Sequence, residues 1–188
     1  MKAPPALTGG YQLYTWGLNS SGQLGDSTLV SKSSPIGVGT KSWVNISAGG
    51  SHTLGQLSDN TWWAWGDNSY GQLGINAPPS GLFIRKWTGA SWSKLSSGGS
   101  HSLGIQSDGS LWSWGFNGYG ALGLGDTVDR SSPTKIGSSS WSTISAGGDH
   151  SLGTLTTGAL YAWGVYENGQ SGILQIIQPI TPKYSWSQ

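Results

Sequence analysis

The block Ser47 to Gly55, Ser-Ala-Gly-Gly-Ser-His-Thr-Leu-Gly, returns in close form at Ser96 to Gly104 and at Ser145 to Gly153, each time 49 positions later. The same step carries Trp16-Gly17 to Trp65-Gly66, Trp114-Gly115 and Trp163-Gly164. It also carries Gly22-Gln23-Leu24-Gly25 to Gly71-Gln72-Leu73-Gly74 and then to Gly120-Ala121-Leu122-Gly123. Tandem units of this length stack because no single unit can bury its own apolar face. The register therefore specifies one repeat domain over 1–188, in units of approximately 1–42, 43–91, 92–140 and 141–188.

Within a unit the aromatic residues alternate, as in Thr61-Trp62-Trp63-Ala64-Trp65 and Ser110-Leu111-Trp112-Ser113-Trp114. Alternation of period two is a strand signal. The second unit gives three strands: a over Trp43 to Ala48, b over His52 to Leu57 and c over Thr61 to Gly66. Gly49-Gly50 separates a from b, and Asp59-Asn60, Asp108-Gly109 or Thr157-Gly158 separates b from c. Such pairs supply the positive φ of tight hairpins. After c, a Gly-rich stretch leads to a weaker outer strand near Ser132 to Ile136. The expected fold class is all-β, a propeller-type array of about four blades, each a four-stranded antiparallel sheet.

These residues resemble the regulator of chromosome condensation repeat family. Its run of Ala-Gly-Gly-x-His-Thr-Leu, Asp-Gly, Trp-x-Trp-Gly-x-Asn, Gly-Gln-Leu-Gly and Pro is matched at Ala48 to Leu54, Asp108-Gly109, Trp112 to Asn117, Gly71 to Gly74 and Pro133. The resemblance covers nearly the whole chain and implies a β-propeller, usually of about seven blades. Ser-Trp-Ser before the glycines and Trp-Ser-Trp-Gly after them resemble the bacterial and phage-encoded branch. With 188 residues the chain holds just under four units, so such a ring does not close within it. On the register, Ala3 to Thr8 fall at b, Tyr11 to Gly17 at c and Tyr184 to Trp186 near a. These complementary ends could complete one blade within a small four-bladed ring or join two chains into a larger ring, and an open arc is the third option; completion by another chain is the leading expectation.

Charged residues make up only 9%, while Gly reaches 32 and Trp 12, so Ser, Thr, Asn, Gln and Gly coat the surface. Such a coat suggests work outside a cell or in a particle. A net charge of +1, with Arg85-Lys86 as the longest basic run, disfavours nucleic acid and membrane partners. Absence of cysteine leaves stability to packing. Neither a signal peptide nor a transmembrane segment is expected, and release within a virus particle needs neither.

His52, His101 and His150 recur at the repeat step and are read as packing residues that tie the Gly-Gly turn to the adjacent blade. No Cys, Asp or Glu completes a metal set around them, so no metal and no cofactor is expected. Trp16, Trp65, Trp114 and Trp163, with Trp43, Trp92 and Trp141, are likewise read as inter-blade packing, which argues against light sensing. Asp26 and Asp126 suit turn capping. No nucleophile, base and acid converge in one motif, so no catalytic residue is expected.

Candidate partner-binding residues lie where one unit departs from the rest. Leu82, Phe83, Ile84, Arg85, Lys86 and Trp87 replace a polar stretch and have the composition of an interface anchor or of a repacked outer strand. Ile173, Leu174, Ile176, Ile177 and Ile180 form an apolar tail expected to dock.

The leading functional expectation is a non-enzymatic structural or adhesive propeller module. It would assemble with copies of itself or with other particle proteins, as a virion component of a phage in capsid decoration or tail or fibre attachment. The alternative is a propeller-type regulator, such as a guanine-nucleotide exchange factor for a small GTPase or an enzyme inhibitor. Exchange factors of the family act through charged loops on one face, whereas the eight acidic residues here are scattered along the sequence. Carbohydrate is a further candidate partner and requires Trp62, Trp87 or Trp112 to face solvent.

Overall fold

A computed structural model describes residues 9–75, 80–87 and 91–165. Among these residues thirteen strands form four antiparallel sheets in chain order. β1 (Tyr14–Gly17) pairs with β2 (Lys32–Gly37). β3 (Trp43–Ala48), β4 (His52–Leu57), β5 (Trp62–Asp67) and β6 (Ser80–Lys86) form a complete four-stranded meander. β7 (Trp92–Ser97), β8 (His101–Gln106), β9 (Leu111–Gly115) and β10 (Arg130–Ile136) repeat it. β11 (Trp141–Ala146), β12 (His150–Leu155) and β13 (Leu160–Gly164) give the first three strands of the next sheet.

This is the propeller array that the alternation implies, with strands a, b and c at the expected places and β10 as the outer strand. Asn60, Gly109 and Gly158 turn the b–c hairpins with φ of 64°, 82° and 93°. The head and tail segments proposed to complete a blade, Ala3 to Thr8 and Tyr184 to Trp186, lie outside the described residues.

The core is divided among the seams between blades. Leu13, Val38, Trp43, Leu57 and Trp65 fill the first seam. Leu54, Trp62, Ala64, Leu73, Trp87, Trp92 and Trp114 fill the second, and Leu103, Ile105, Leu111, Ile136, Trp141 and Trp163 the third. The inner strands β3, β7 and β11 lie side by side, so the Gly-Gly turns of successive blades meet. Gly50 N donates to Gly98 O and Gly99 N to Gly147 O, each at 3.0 Å. A Cβ on Gly99 would lie 2.6 Å from the Gly148 carbonyl oxygen, so this approach requires glycine.

One backbone carbonyl locks each seam. Gln23 O accepts from Thr53 Oγ1 at 3.0 Å and from Trp65 Nε1 at 2.9 Å in the next blade. Gln72 O accepts from Ser102 Oγ and Trp114 Nε1, both at 2.8 Å, and Ala121 O from Ser151 Oγ at 2.9 Å and Trp163 Nε1 at 2.8 Å. Histidine extends the lock. His52 Nε2 lies 2.9 Å from Ser102 Oγ, and His101 Nε2 lies 2.9 Å from Ser151 Oγ. Each serine hydroxyl has already given its one proton to a carbonyl, so each imidazole donates from Nε2 and leaves Nδ1 bare. His52 Nδ1 is indeed buried without a partner.

Burial lowers the His52 pKa to about 4 against a smaller opposing effect of Asp67. Burial, with the neighbouring His52 and His150, lowers that of His101 to about 3. Protonating Nδ1 would place a second N–H in the seam with nothing to accept it. Between pH 6.5 and about 4 the unfolded chain therefore binds protons that the folded chain refuses. The stability these neutral histidines confer is complete above pH 6.5 and is lost as the pH falls below it, by up to about 1.4 kcal/mol per pH unit for each. Urea unfolding at stepped pH should show that fall, and His101→Gln should make it shallower. An unchanged slope in the variant would contradict the assignment.

Candidate protein-binding face

In an antiparallel meander the a–b turns and c–d loops emerge at one end of the strands, and the b–c turns and d–a connections at the other. The first end is the richer in side chains. Its c–d loops are built around a buried asparagine. Asn19 Oδ1 accepts from Leu24 N and Asn68 Oδ1 from Leu73 N, both at 2.9 Å, and Asn117 Oδ1 accepts from Leu122 N at 3.0 Å. Asn117 Nδ2 also reaches Asp126 O at 2.9 Å and Val128 O at 3.2 Å, and so spans the whole loop.

Aspartates finish these loops. Asp26 pairs with Lys32 at 3.1 Å and accepts from the Thr28 amide and hydroxyl. Partial burial works against its ionisation, but the Thr28, Lys32 and Asn19 hydrogen bonds outweigh it and hold the pKa at about 2. Asp126 pairs with Arg130 at 2.6 Å, and the Val128 amide, opposed by partial burial and aided by Arg130 and Asn117, holds it below the usual carboxylate range. The hydrogen-bonding demands of both aspartates are met within the loop, which accounts for them without an ion. Among the described residues no group of three or more His, Cys, Asp or Glu side chains is placed to hold a metal.

The loops also carry exposed apolar side chains: Leu18, Leu29, Val30, Tyr70, Tyr119 and Val128. Tyr70 packs on Phe116 at 4.9 Å between ring centroids, and Phe116 on Tyr119 at 5.7 Å. Composition does not single these residues out, as it does the apolar segment ending at Trp87. The signal lay elsewhere, at repeat positions where the units disagree: Ser21, Tyr70 and Tyr119 share one position, and Leu18, Asp67 and Phe116 another.

The residues singled out from sequence occupy varied places. Trp87 is buried in the second seam, Ile84 packs against the first, and Arg85 and Lys86 are exposed on the outer strand. The side chains of Leu82 and Phe83, and Ile173, Leu174, Ile176, Ile177 and Ile180 entirely, lie outside the described residues. Trp65, Trp114 and Trp163 are fully buried, whereas Trp16, at the same repeat position, is 61% exposed. His52 and His101 are buried, and His150 is half-buried. None of the three tryptophans required for sugar stacking is exposed: Trp62 and Trp87 are buried, and Trp112 is half-buried with Nε1 bound to Ser110 Oγ at 2.9 Å.

A concavity of about 230 Å³ lies among the inner strands, lined in part by Ile46, Leu95 and Ile144. Lys94 at its edge donates to Ser142 O at 2.6 Å. No helix of the described residues is long and apolar enough to cross a membrane.

Fold and seams together define a β-propeller array whose blades are tandem repeats. The chain belongs to the regulator of chromosome condensation (RCC1) repeat family: one family model matches residues 12–55 and 108–153, and a second of the same description matches 43–72, 92–121 and 141–170. No curated protein matches the sequence.

Among solved structures, human WBSCR16 is similar with a TM-score of 0.79 at 24% identity, over 93% of this chain and 48% of that one. Yeast RCC1 (Prp20), solved with Kap60 bound, has a TM-score of 0.79 at 22% identity, over 91% of this chain and 44% of that one. Prp20p from Saccharomyces cerevisiae, in a structure described with its binding properties to Gsp1p and histones, gives 0.73 at 24% identity, over 87% and 42%. The chain spans less than half the length of these structures.

These comparisons correct four expectations. The matched structures are human and yeast, so the bacterial or phage-like branch is overturned. The phage virion component, its capsid or tail role and its virion location fall with it. The inference failed for a physical reason: the polar, weakly charged composition reflects the repeat rather than a setting. Thr53, Ser102 and Ser151 are spent inside the seams, and Asn19 and Asn117 inside the loops.

Asn117→Ala should leave the amides of Leu122 and the loop carbonyls unpaired, at a cost of about 1–3 kcal/mol. Hydrogen exchange should accelerate across 117–130 while β7 and β8 stay protected. Unchanged exchange in that loop would contradict its assigned role.

Proposed function

We propose that the chain is a non-enzymatic, protein-binding regulator that engages its partner through the c–d loop face of the propeller. The observation that carries this reading is the distribution of exposed large apolar side chains. Leu18, Leu29, Val30, Tyr70, Tyr119 and Val128 emerge on that face, against Tyr11 and Leu160 at the opposite ends of the strands, with Tyr14, Trp16, Val44 and Ile46 on β1 and β3 between them. Apolar groups on a rigid polar frame are the usual anchors of protein interfaces. Prp20p, described with its binding to Gsp1p and histones, lends support as a structural relative that binds proteins.

A small GTPase is the first partner class to test, because the family resemblance implies exchange factors. Photo-crosslinkers placed singly at Tyr119 and Val128 should give protein adducts in cells, and crosslinkers at Lys41 and Lys135 should give few. Equal or greater yield at the two lysines would overturn the loop-face reading. Accelerated release of a fluorescent guanine nucleotide from a small GTPase would make the regulator an exchange factor. Adducts without acceleration would retain partner binding and remove exchange.

A further inference from the structure

Among the described residues the two ends of the blades carry opposite charge, although the chain as a whole is almost neutral. Of the described acidic residues, Asp26, Asp67, Asp126, Asp129 and Asp149 lie at the loop face, and Asp59 and Asp108 at the other end. The loop-face cations, Lys32 and Arg130, are each held by an aspartate. Asp67, Asp129 and Asp149 form no salt bridge among the described residues, so this face is left negative. Lys41, Arg85, Lys86, Lys94 and Lys135 lie toward the opposite end.

On the negative face stand three aromatic rings in contact. Tyr70 comes from the loop between β5 and β6, while Phe116 and Tyr119 come from the loop between β9 and β10, so the patch bridges the seam between two blades. Tyr70 is 43% exposed and Tyr119 is 59% exposed. Their supports are fixed: Tyr70 N donates to Gln72 Oε1 at 2.9 Å, and Phe116 N donates to Ser100 O at 2.9 Å. Gly118 leaves room for the Phe116 ring, whose Cζ would lie 2.5 Å from a Cβ there. These rings are held out to solvent before any partner arrives.

We propose that the Tyr70–Phe116–Tyr119 patch is the docking surface for a lysine- and arginine-rich segment of a partner protein. Resting on the partner-binding reading above, this names the chemistry that the face selects. Aromatic faces attract ammonium and guanidinium groups, and their long methylene stems cover ring surface that an acidic side chain cannot. Unneutralised carboxylates on the same face attract the same segment and repel an acidic one. An acidic partner would meet its complement at the opposite end, where Lys86 and Lys135 lie and where Lys41 already covers the Trp63 ring at 4.3 Å from its centroid.

Fluorescence polarisation with the full chain tests this. The probes are a labelled peptide of Lys and Arg alternating with Gly and Ser, and a twin with Glu and Asp in the cationic positions. The basic peptide should bind at least about tenfold tighter than the acidic one, and more weakly as salt rises. Tyr70→Ala with Tyr119→Ala should weaken it by about tenfold or more, Asp149→Asn should weaken it less, and Lys86→Gln with Lys135→Gln should not weaken it. Both tyrosines are exposed, and an unchanged melting temperature confirms that the variant is folded. Equal or tighter binding of the acidic peptide, indifference to the tyrosine pair, or no binding of the basic peptide would each overturn the proposal. None of these would touch the crosslinks at Tyr119 and Val128, on which the broader partner-binding reading stands.

Discussion

A single backbone carbonyl that accepts two side-chain hydrogen bonds from the next blade is the interaction on which this structure depends. At Gln72 the donors are Ser102 and Trp114, and His52 supports the serine from behind. Each such bond is worth about 1 kcal/mol net, but the geometry matters more than the sum. The accepting residue lies in the Gly-Gln-Leu-Gly stretch of a c–d loop, so the bond that joins two blades also fixes the loop. A weakly charged chain with no cysteine thereby gains a rigid face out of serine, tryptophan and glycine.

Burial of histidine is the cost of this arrangement. Neutral His52 and His101 fit the seam because one nitrogen has a defined acceptor and the other needs no proton. The seams are therefore stable near neutrality and weaken in acid, a property set by the lock rather than by any functional site.

Architecture was legible in the sequence because the repeat states it several times over. Spacing placed strands a, b and c, the hairpin pairs placed the turns, and the period placed His52 and His101 at corresponding positions. Face and charge were not legible, because they arise only when the meander folds. Asp26, Asp67, Asp126, Asp129 and Asp149 look scattered along the chain, but every one follows strand c or joins a to b, and all of them arrive at one end. Trp87 misled in the opposite sense: an apolar residue in a deviant segment has the composition of an anchor, while its ring packs against Trp92 and Trp114 inside the second seam. The polar composition misled most, since Ser, Thr and Asn serve here as internal fasteners and carry no information about where the protein works.

Family membership and rigid seams together make the c–d loops the variable part of a constant frame. Tyr70 and Tyr119 stand where the first unit has Ser21, so the aromatic patch belongs to particular blades and not to the repeat. Exchange of the indole Nε1 protons, followed by NMR after transfer into heavy water, tests the lock most directly. The account expects Trp65, Trp114 and Trp163 to exchange only with global unfolding, while Trp16 exchanges at the rate of an open indole. Exchange of those three as fast as Trp16 would contradict it, because the carbonyls of Gln23, Gln72 and Ala121 would then not be holding the blades together.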